Sequence, residues 1–188
     1  CRELGVGCAI DYEMAAALYS RAAELDDAVA INNLGGCYFY GHGVPQNKEY
    51  AVELYERAAM LGNSNAECRL GICREIGDGC EKDLVRAFGC YLRAAEAGNA
   101  TAQYRMAVCY DKGLGVEQDL ALAFEAYSAS AKAGCAQAMY EVGMKCRHGK
   151  GTRKDQDMAY RMFSMAADAG IPAAEYEVGN CFFERSEE

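Results

Sequence analysis

Apolar residues recur along this chain in two kinds of helical stripe. Within residues 28–63, the first stripe predicts a helix over 28–40 and the second predicts a helix over 48–61, here called helix A and helix B. The stripe of helix A consists of Ala30, Leu34, Cys37 and Tyr38, and that of helix B consists of Ala51, Leu54, Tyr55, Ala58 and Ala59. The pattern therefore indicates an all-α chain built from helix pairs.

The helix pair recurs every 36 residues without insertions. One glycine column contains Gly5, Gly41, Gly77, Gly113 and Gly149, and a second contains Gly7, Gly43, Gly79, Gly115 and Gly151. A fixed period of this length predicts a right-handed superhelical α/α solenoid, in which each repeat packs only on its neighbours. We divide residues 1–188 as one solenoid domain, with ten full helices, a helix A remnant at 1–4 and a first helix B at 12–25. The units are 1–27 (partial), 28–63, 64–99, 100–135, 136–171 and 172–188 (partial).

Glycines and short polar residues mark where the predicted helices end and begin. Gly41 and Gly43 form the turn between helix A and helix B, and Gly62 ends helix B. The residues expected to cap each helix B are Asp11, Asn47, Asp83, Asp119 and Asp155. Gly35 stands inside helix A, where glycine is unfavourable, so it predicts a close approach by a neighbouring helix.

These columns resemble the Sel1-like repeat, a relative of the tetratricopeptide repeat. The clearest copy runs from Ala102 to Gly134 and carries Tyr104, Tyr110, Gly113, Gly115, Val116, Asp119, Ala123 and Tyr127. The resemblance covers essentially the whole chain and implies a helical repeat scaffold. The departures are Cys80 and Thr152 at the loop valine, Ala107 at a helix A glycine, and Arg185 and Glu187 at the last loop glycines. The last two argue against a helix B after residue 184.

Net charge and hydropathy exclude several kinds of partner. The formal net charge of −9 and the pI of about 4.8 argue against nucleic acid or an anionic membrane as the main partner. No apolar run approaches the ~20 residues that span a bilayer. No signal peptide is visible, so we expect a cytoplasmic location, or a secreted or periplasmic one if the cysteines form disulfides.

The eleven cysteines are expected to be mostly reduced packing residues. Cys1, Cys37, Cys73, Cys109 and Cys181 share one column, in which Lys145 takes the remaining place. Equivalent positions in stacked repeats lie roughly 8–10 Å apart, beyond the ~7 Å Cα separation that a disulfide allows. Some bacterial relatives of the Sel1-like family carry one disulfide per repeat, but the paired spacing that this requires is missing here.

The resemblance places helix A on the concave side, by analogy with tetratricopeptide arrays. The expected partner-binding residues are Asn32, Asn33, Arg69, Tyr104, Arg105, Val108, Tyr140, Glu141, Met144 and Tyr176. Tyrosine and arginine anchor many interfaces, and asparagine can clamp a peptide backbone. The alternative is that the tyrosines only pack. The predicted partner is a protein or peptide in a concave groove.

No catalytic, cofactor or metal motif stands out. The two histidines, His42 and His148, lack the convergent ligands that zinc needs, and the Gly-x-Gly loops are interpreted as turns. The segment 145–154 is locally basic, either as a solvated turn or as a docking patch for an acidic partner.

The prediction from sequence is thus a non-enzymatic scaffold or adaptor without a cofactor. The alternatives are an enzyme that binds or hydrolyses β-lactam-like compounds, and a thiol-based redox sensor. At the start of the chain, we expect Met14, Leu18 and Tyr19 to be partly exposed. That edge would either self-associate end to end or pack on further repeats preceding residue 1.

Overall fold

The computed structural model describes residues 11–185, which form ten α-helices and no strand within that range. The helices are α1 (Tyr12–Ala23), α2 (Ala28–Tyr40), α3 (Lys48–Met60), α4 (Ser64–Ile76), α5 (Leu84–Glu96), α6 (Ala100–Lys112), α7 (Leu120–Lys132), α8 (Ala136–His148), α9 (Gln156–Asp168) and α10 (Pro172–Arg185). Even-numbered helices are helix A of a repeat, and odd-numbered helices are helix B. The predicted all-α fold of repeated helix pairs is confirmed, while the remnant expected at 1–4 lies outside the described residues.

Contacts divide the chain into two compact units, unit 1 (Cys1–Ala97) and unit 2 (Gly98–Glu188). In unit 1, the extensive contacts join α1 to α2, α2 to α3, α3 to α4 and α4 to α5. In unit 2, they join α6 to α7, α7 to α8, α8 to α9 and α9 to α10. Packing is most extensive between helix A and helix B of the same repeat, so the helix pair is the structural building block.

Helix B ends slightly earlier than the sequence indicates. Helix α3 stops at Met60 rather than at 61, and α1 stops at Ala23 rather than at 25. The chain leaves α3 through Gly62, whose φ of 84° is left-handed. Asp26 takes the equivalent place after α1 with a φ of 57°. The backbone N–H groups that follow each helix bond to carbonyls of its last turn, which shortens the regular helix.

Each of four successive repeats buries an aromatic ring at the same position of its helix B, and these four rings are here called the ring column. Its members are Tyr55, Tyr91, Tyr127 and Phe163, each at most 2% exposed. A glycine of the preceding helix A presses on most of these rings, as the sequence predicted. A Cβ added at Gly143 would lie 2.6 Å from Cε1 of Phe163, and one at Gly71 would lie 2.6 Å from Cε1 of Tyr91. The ring fills the space that a side chain would otherwise need.

The cysteines agree with the packing role expected of them. The nine cysteines of the described residues are free thiols, and seven of them are buried. Burial raises the pKa of Cys73 to about 12 and also raises the pKa values of Cys80, Cys90 and Cys146. Because the thiolate is the reactive form, these thiols are poorly suited to redox sensing. Cys1 and Cys8 lie outside the described residues.

The edge formed by α1 exposes part of its apolar surface. Met14 is 45% exposed and Leu18 is 47% exposed, while Tyr19 is half-buried. Within residues 11–185, none of the helices combines the length and hydropathy that a bilayer crossing requires.

Helix α8 lacks the side-chain cap that α2, α4 and α6 have. Asp27, Asn63 and Asn99 each accept a hydrogen bond from a backbone N–H of the first turn, at 2.8–2.9 Å. Cys135 precedes α8 with φ −73° and ψ 109°, nearly the same backbone as Asn99 with φ −72° and ψ 109°. Its thiol makes no such bond.

We therefore expect Cys135→Asn to stabilise the protein. An asparagine in this backbone conformation would satisfy a free N–H of α8 and add about 1 kcal/mol to the free energy of unfolding, measured by urea titration. The matched control is Asn99→Ala, which should lose a similar amount at the equivalent cap. An unchanged unfolding midpoint in Cys135→Asn would show that water already satisfies this helix end.

Candidate functional site

The surface that the A helices of a unit line is here called its helix A face. On the helix A face of unit 1, an arginine lies beside a buried tyrosine. The guanidinium carbon of Arg69 on α4 lies 5.9 Å from the ring centroid of Tyr55. Burial raises the pKa of the Tyr55 hydroxyl to about 12, an effect that Arg69 partly opposes. A small cavity of ~60 Å³ opens here, lined by Phe39, Tyr40, Tyr55, Arg69, Ile72 and Cys73.

The structure corrects the position of Asn32, which the sequence placed on this face. Asn32 is only 6% exposed, and its Nδ2 donates to Oδ1 of Asn33 at 3.2 Å. Its own Oδ1 is buried without a hydrogen-bond partner among the described residues. Cys68 occupies the same column in the next repeat and is also buried. The small side chains of this column are thus buried in unit 1. Of the two predicted asparagines, only half-buried Asn33 is accessible to a partner.

In unit 2, larger tyrosines fill that same column. Tyr104 leans against Tyr127 with ring centroids 5.7 Å apart, and Tyr140 leans against Phe163 with centroids 5.8 Å apart. Both are half-buried, whereas Tyr176 on α10 is 71% exposed. Packing thus fixes the orientation of Tyr104 and Tyr140 while leaving part of each side chain accessible.

Tyr104 and Tyr140 are here called the aromatic row. The remaining predicted residues of unit 2 lie close to it. Val108 and Met144 are half-buried and pack on the apolar core of unit 2, together with Tyr104 and Tyr140. Arg105 is also half-buried. The helix A face of unit 2 therefore brings Tyr104, Val108, Tyr140 and Met144 together around one core cluster.

A buried ion pair, which the sequence did not reveal, lies under this face. Lys145 Nζ contacts Asp111 Oδ1 at 2.6 Å and lies 5.4 Å from the ring centroid of Tyr127. The Lys145 side chain is only 5% exposed. Burial and the nearby Asp111 raise the pKa of Glu141, while Lys145 opposes that effect. The only sequence signal was a lysine in a column of cysteines.

Carboxylates also neutralise part of the basic segment 145–154. Arg147 on α8 pairs with Glu177 on α10, and Asn180 Nδ2 donates to Glu177 Oε2 at 3.3 Å. Helix α8 is thus tied to both neighbouring A helices of unit 2, through Lys145 on one side and Arg147 on the other. In the part of the chain that the structure describes, no group of three or more His, Cys, Asp or Glu side chains could hold a metal ion.

Paired helices, a glycine-packed ring column and exposed helix A side chains define an α/α repeat protein. The family model for the Sel1 repeat matches residues 1–27, 28–63, 64–99, 100–135 and 136–171. The chain therefore belongs to the Sel1 repeat family. Members of this family generally mediate protein–protein interactions, and their fold is generally a non-catalytic scaffold.

Solved structures agree with this assignment. A protective antigen of uropathogenic Escherichia coli strains with an SLR fold has a TM-score of 0.89 at 30% identity, covering 95% of this chain and 38% of that chain. A Sel1 repeat protein from Oxalobacter formigenes has a TM-score of 0.85 at 30% identity, covering 94% of this chain and 70% of that chain.

A more distant structure shares the fold alone. Cysteine rich protein B of Helicobacter pylori has a TM-score of 0.55 at 22% identity, covering 70% of this chain and 96% of that chain. A search of curated proteins finds no match for the sequence.

Proposed function

We propose that this chain is a non-enzymatic scaffold or adaptor that binds a peptide segment of a partner protein on the helix A face of unit 2. The observation that carries the proposal is the aromatic row on that face. Tyr104 and Tyr140 are held against the buried rings of Tyr127 and Phe163, and both remain half-buried. Aromatic residues fixed before binding lose little entropy when a ligand contacts them, so they make effective anchors.

The surroundings of the row suit a peptide. Val108 and Met144 supply apolar surface beside the rings, and Glu141 supplies a carboxylate that could accept a backbone N–H. In unit 1, Arg69 beside Tyr55 and half-buried Asn33 form a separate contact surface of the same kind. A cytoplasmic setting belongs to the proposal, since the described cysteines are free thiols.

Selection from a random peptide display library tests the proposal. We expect peptides selected on the wild-type protein to bind the double variant Tyr104→Ala/Tyr140→Ala about thirtyfold more weakly, as for the loss of an interface hot spot. Leu122→Ala is the control, because Leu122 is 42% exposed on α7, a helix B of the same unit. Circular dichroism establishes that both variants keep their helical content.

Two results would contradict the proposal. One is a failure to enrich any peptide on the wild-type protein. The other is equal binding of the enriched peptides to the double variant and to Leu122→Ala, which would place the contact on another surface.

A further inference from the structure

A polar cavity of ~540 Å³ opens at one end of α8 in unit 2. Its lining residues are Arg147, His148, Lys154, Gln156, Tyr176, Glu177 and Asn180. They come from the end of helix A, the turn that follows it, the start of α9 and the neighbouring α10. Tyr176 is 71% exposed and offers an aromatic surface at this site.

The charges around this cavity do not balance. Glu177 is its only carboxylate among the lining residues, and that group is already engaged by Arg147 and Asn180. Lys154 is exposed, and no ion pair joins it to a side chain of residues 11–183. Lys150 and Arg153 lie on the same turn and are likewise exposed, as is Asp155, whose carboxylate caps α9. A chain with a net charge of −9 thus concentrates exposed cations at one place.

The basic turn is held rigidly before any ligand arrives. The Lys150 N–H donates to the Lys145 carbonyl at 3.0 Å, and the Asp155 N–H donates to the Cys146 carbonyl at 2.9 Å. Gly151 has a φ of 75°, and a Cβ added there would lie 1.9 Å from the carbonyl oxygen of Leu120. The turn therefore packs tightly against the start of α7. Because the backbone of this turn is fixed before binding, only its exposed side chains lose conformational entropy when they contact an anionic group.

We infer that this cavity receives acidic side chains of the partner peptide, with carboxylates at Lys154 and His148 and an apolar or aromatic group on Tyr176. The inference rests on the proposed function, because Tyr176 continues the column of Tyr104 and Tyr140. Complementary charge favours an acidic peptide. The acidic chain as a whole disfavours nucleic acid and anionic membranes, which need basic surface over a much larger area.

The test uses a synthetic hexapeptide, acetyl-Glu-Asp-Glu-Tyr-Glu-Asp-amide, and its neutral twin, acetyl-Gln-Asn-Gln-Tyr-Gln-Asn-amide. We expect the acidic peptide to shift amide NMR signals of residues 147–156 and 176–180, and the neutral twin to leave them unchanged. Lys154→Glu should weaken this binding about tenfold. Arg161→Glu makes the same charge change at an exposed site on α9 and should weaken it less than about twofold.

Several outcomes would overturn the inference. These are equal shifts by the two peptides, equal weakening by Lys154→Glu and Arg161→Glu, and tighter binding of a single-stranded oligonucleotide or of phosphatidylserine vesicles than of the acidic peptide. Display-selected peptides that bind through Tyr104 and Tyr140 but are insensitive to Lys154→Glu would refute this site and leave the proposed function intact. If no peptide is enriched from the display library and the acidic hexapeptide does not bind, both proposals fail.

Discussion

Replacing Phe163 by alanine is expected to lower the free energy of unfolding by about 3–5 kcal/mol. Phe163 is fully buried, and Gly143 approaches it so closely that the ring itself fills the space between α8 and α9. Removing the ring leaves a cavity that this backbone cannot easily close. Hydrogen exchange measured by mass spectrometry should show lost protection in α8 and α9, and urea unfolding monitored by circular dichroism gives the energy.

The control for this prediction is an aromatic residue at the surface. Tyr176→Ala removes a ring that is 71% exposed and should change the free energy of unfolding by less than about 0.5 kcal/mol. Similar losses in Phe163→Ala and Tyr176→Ala would refute the ring column as the centre of the repeat packing.

Replacing Lys145 by methionine is expected to cost about 2–3 kcal/mol of unfolding free energy. The change leaves Asp111 as an uncompensated carboxylate under the helix A face. The loss of stability should be smaller than the largest losses seen for buried pairs, because the Asp111 side chain is 23% exposed to water. The loss is read from urea unfolding near neutral pH.

Unit 1 contains a matched lysine–aspartate pair for comparison. Lys48 Nζ contacts Asp78 Oδ2 at 2.9 Å and lies 5.3 Å from the ring centroid of Phe39, which resembles the surroundings of Lys145. The Lys48 side chain, however, is 36% exposed. Lys48→Met should therefore cost less than about 1 kcal/mol. Equal losses at the two lysines would show that burial does not set the strength of these pairs.

A double substitution separates the pair from the packing around it. In Lys145→Met/Asp111→Leu, neither charge remains, so most of the stability lost in Lys145→Met should return. If the double variant is less stable than Lys145→Met, Asp111 stabilises the fold through contacts other than the ion pair.

The sequence predicts the helices well because their signals are local. The apolar stripe and the turn glycines placed helix A at 28–40, which is where α2 begins and ends. The end of helix B was less accurate, because it depends on hydrogen bonds made after the chain has already turned at Gly62 or Asp26. The close approach at Gly35 could also be inferred, since a glycine inside a helix needs a compensating contact.

The candidate site is harder to predict, because it depends on how far each side chain reaches. The column logic treated Asn32 and Tyr176 as equivalent, yet one is buried and the other is 71% exposed. The Lys145–Asp111 pair joins residues 34 positions apart and appears only when two A helices are placed side by side. Residue type and register predicted which side chains to consider, whereas their burial and charge pairing required the folded chain.

The contact pattern within each unit also has a consequence for how the protein is made. The helices with extensive contacts are consecutive in the chain, so folding closes only short loops. Helical proteins dominated by such local contacts fold in about microseconds to milliseconds. Ribosomes add roughly 5–20 residues per second, so each repeat takes seconds to synthesise. Unit 1 can therefore complete its helix packing while unit 2 is still being translated.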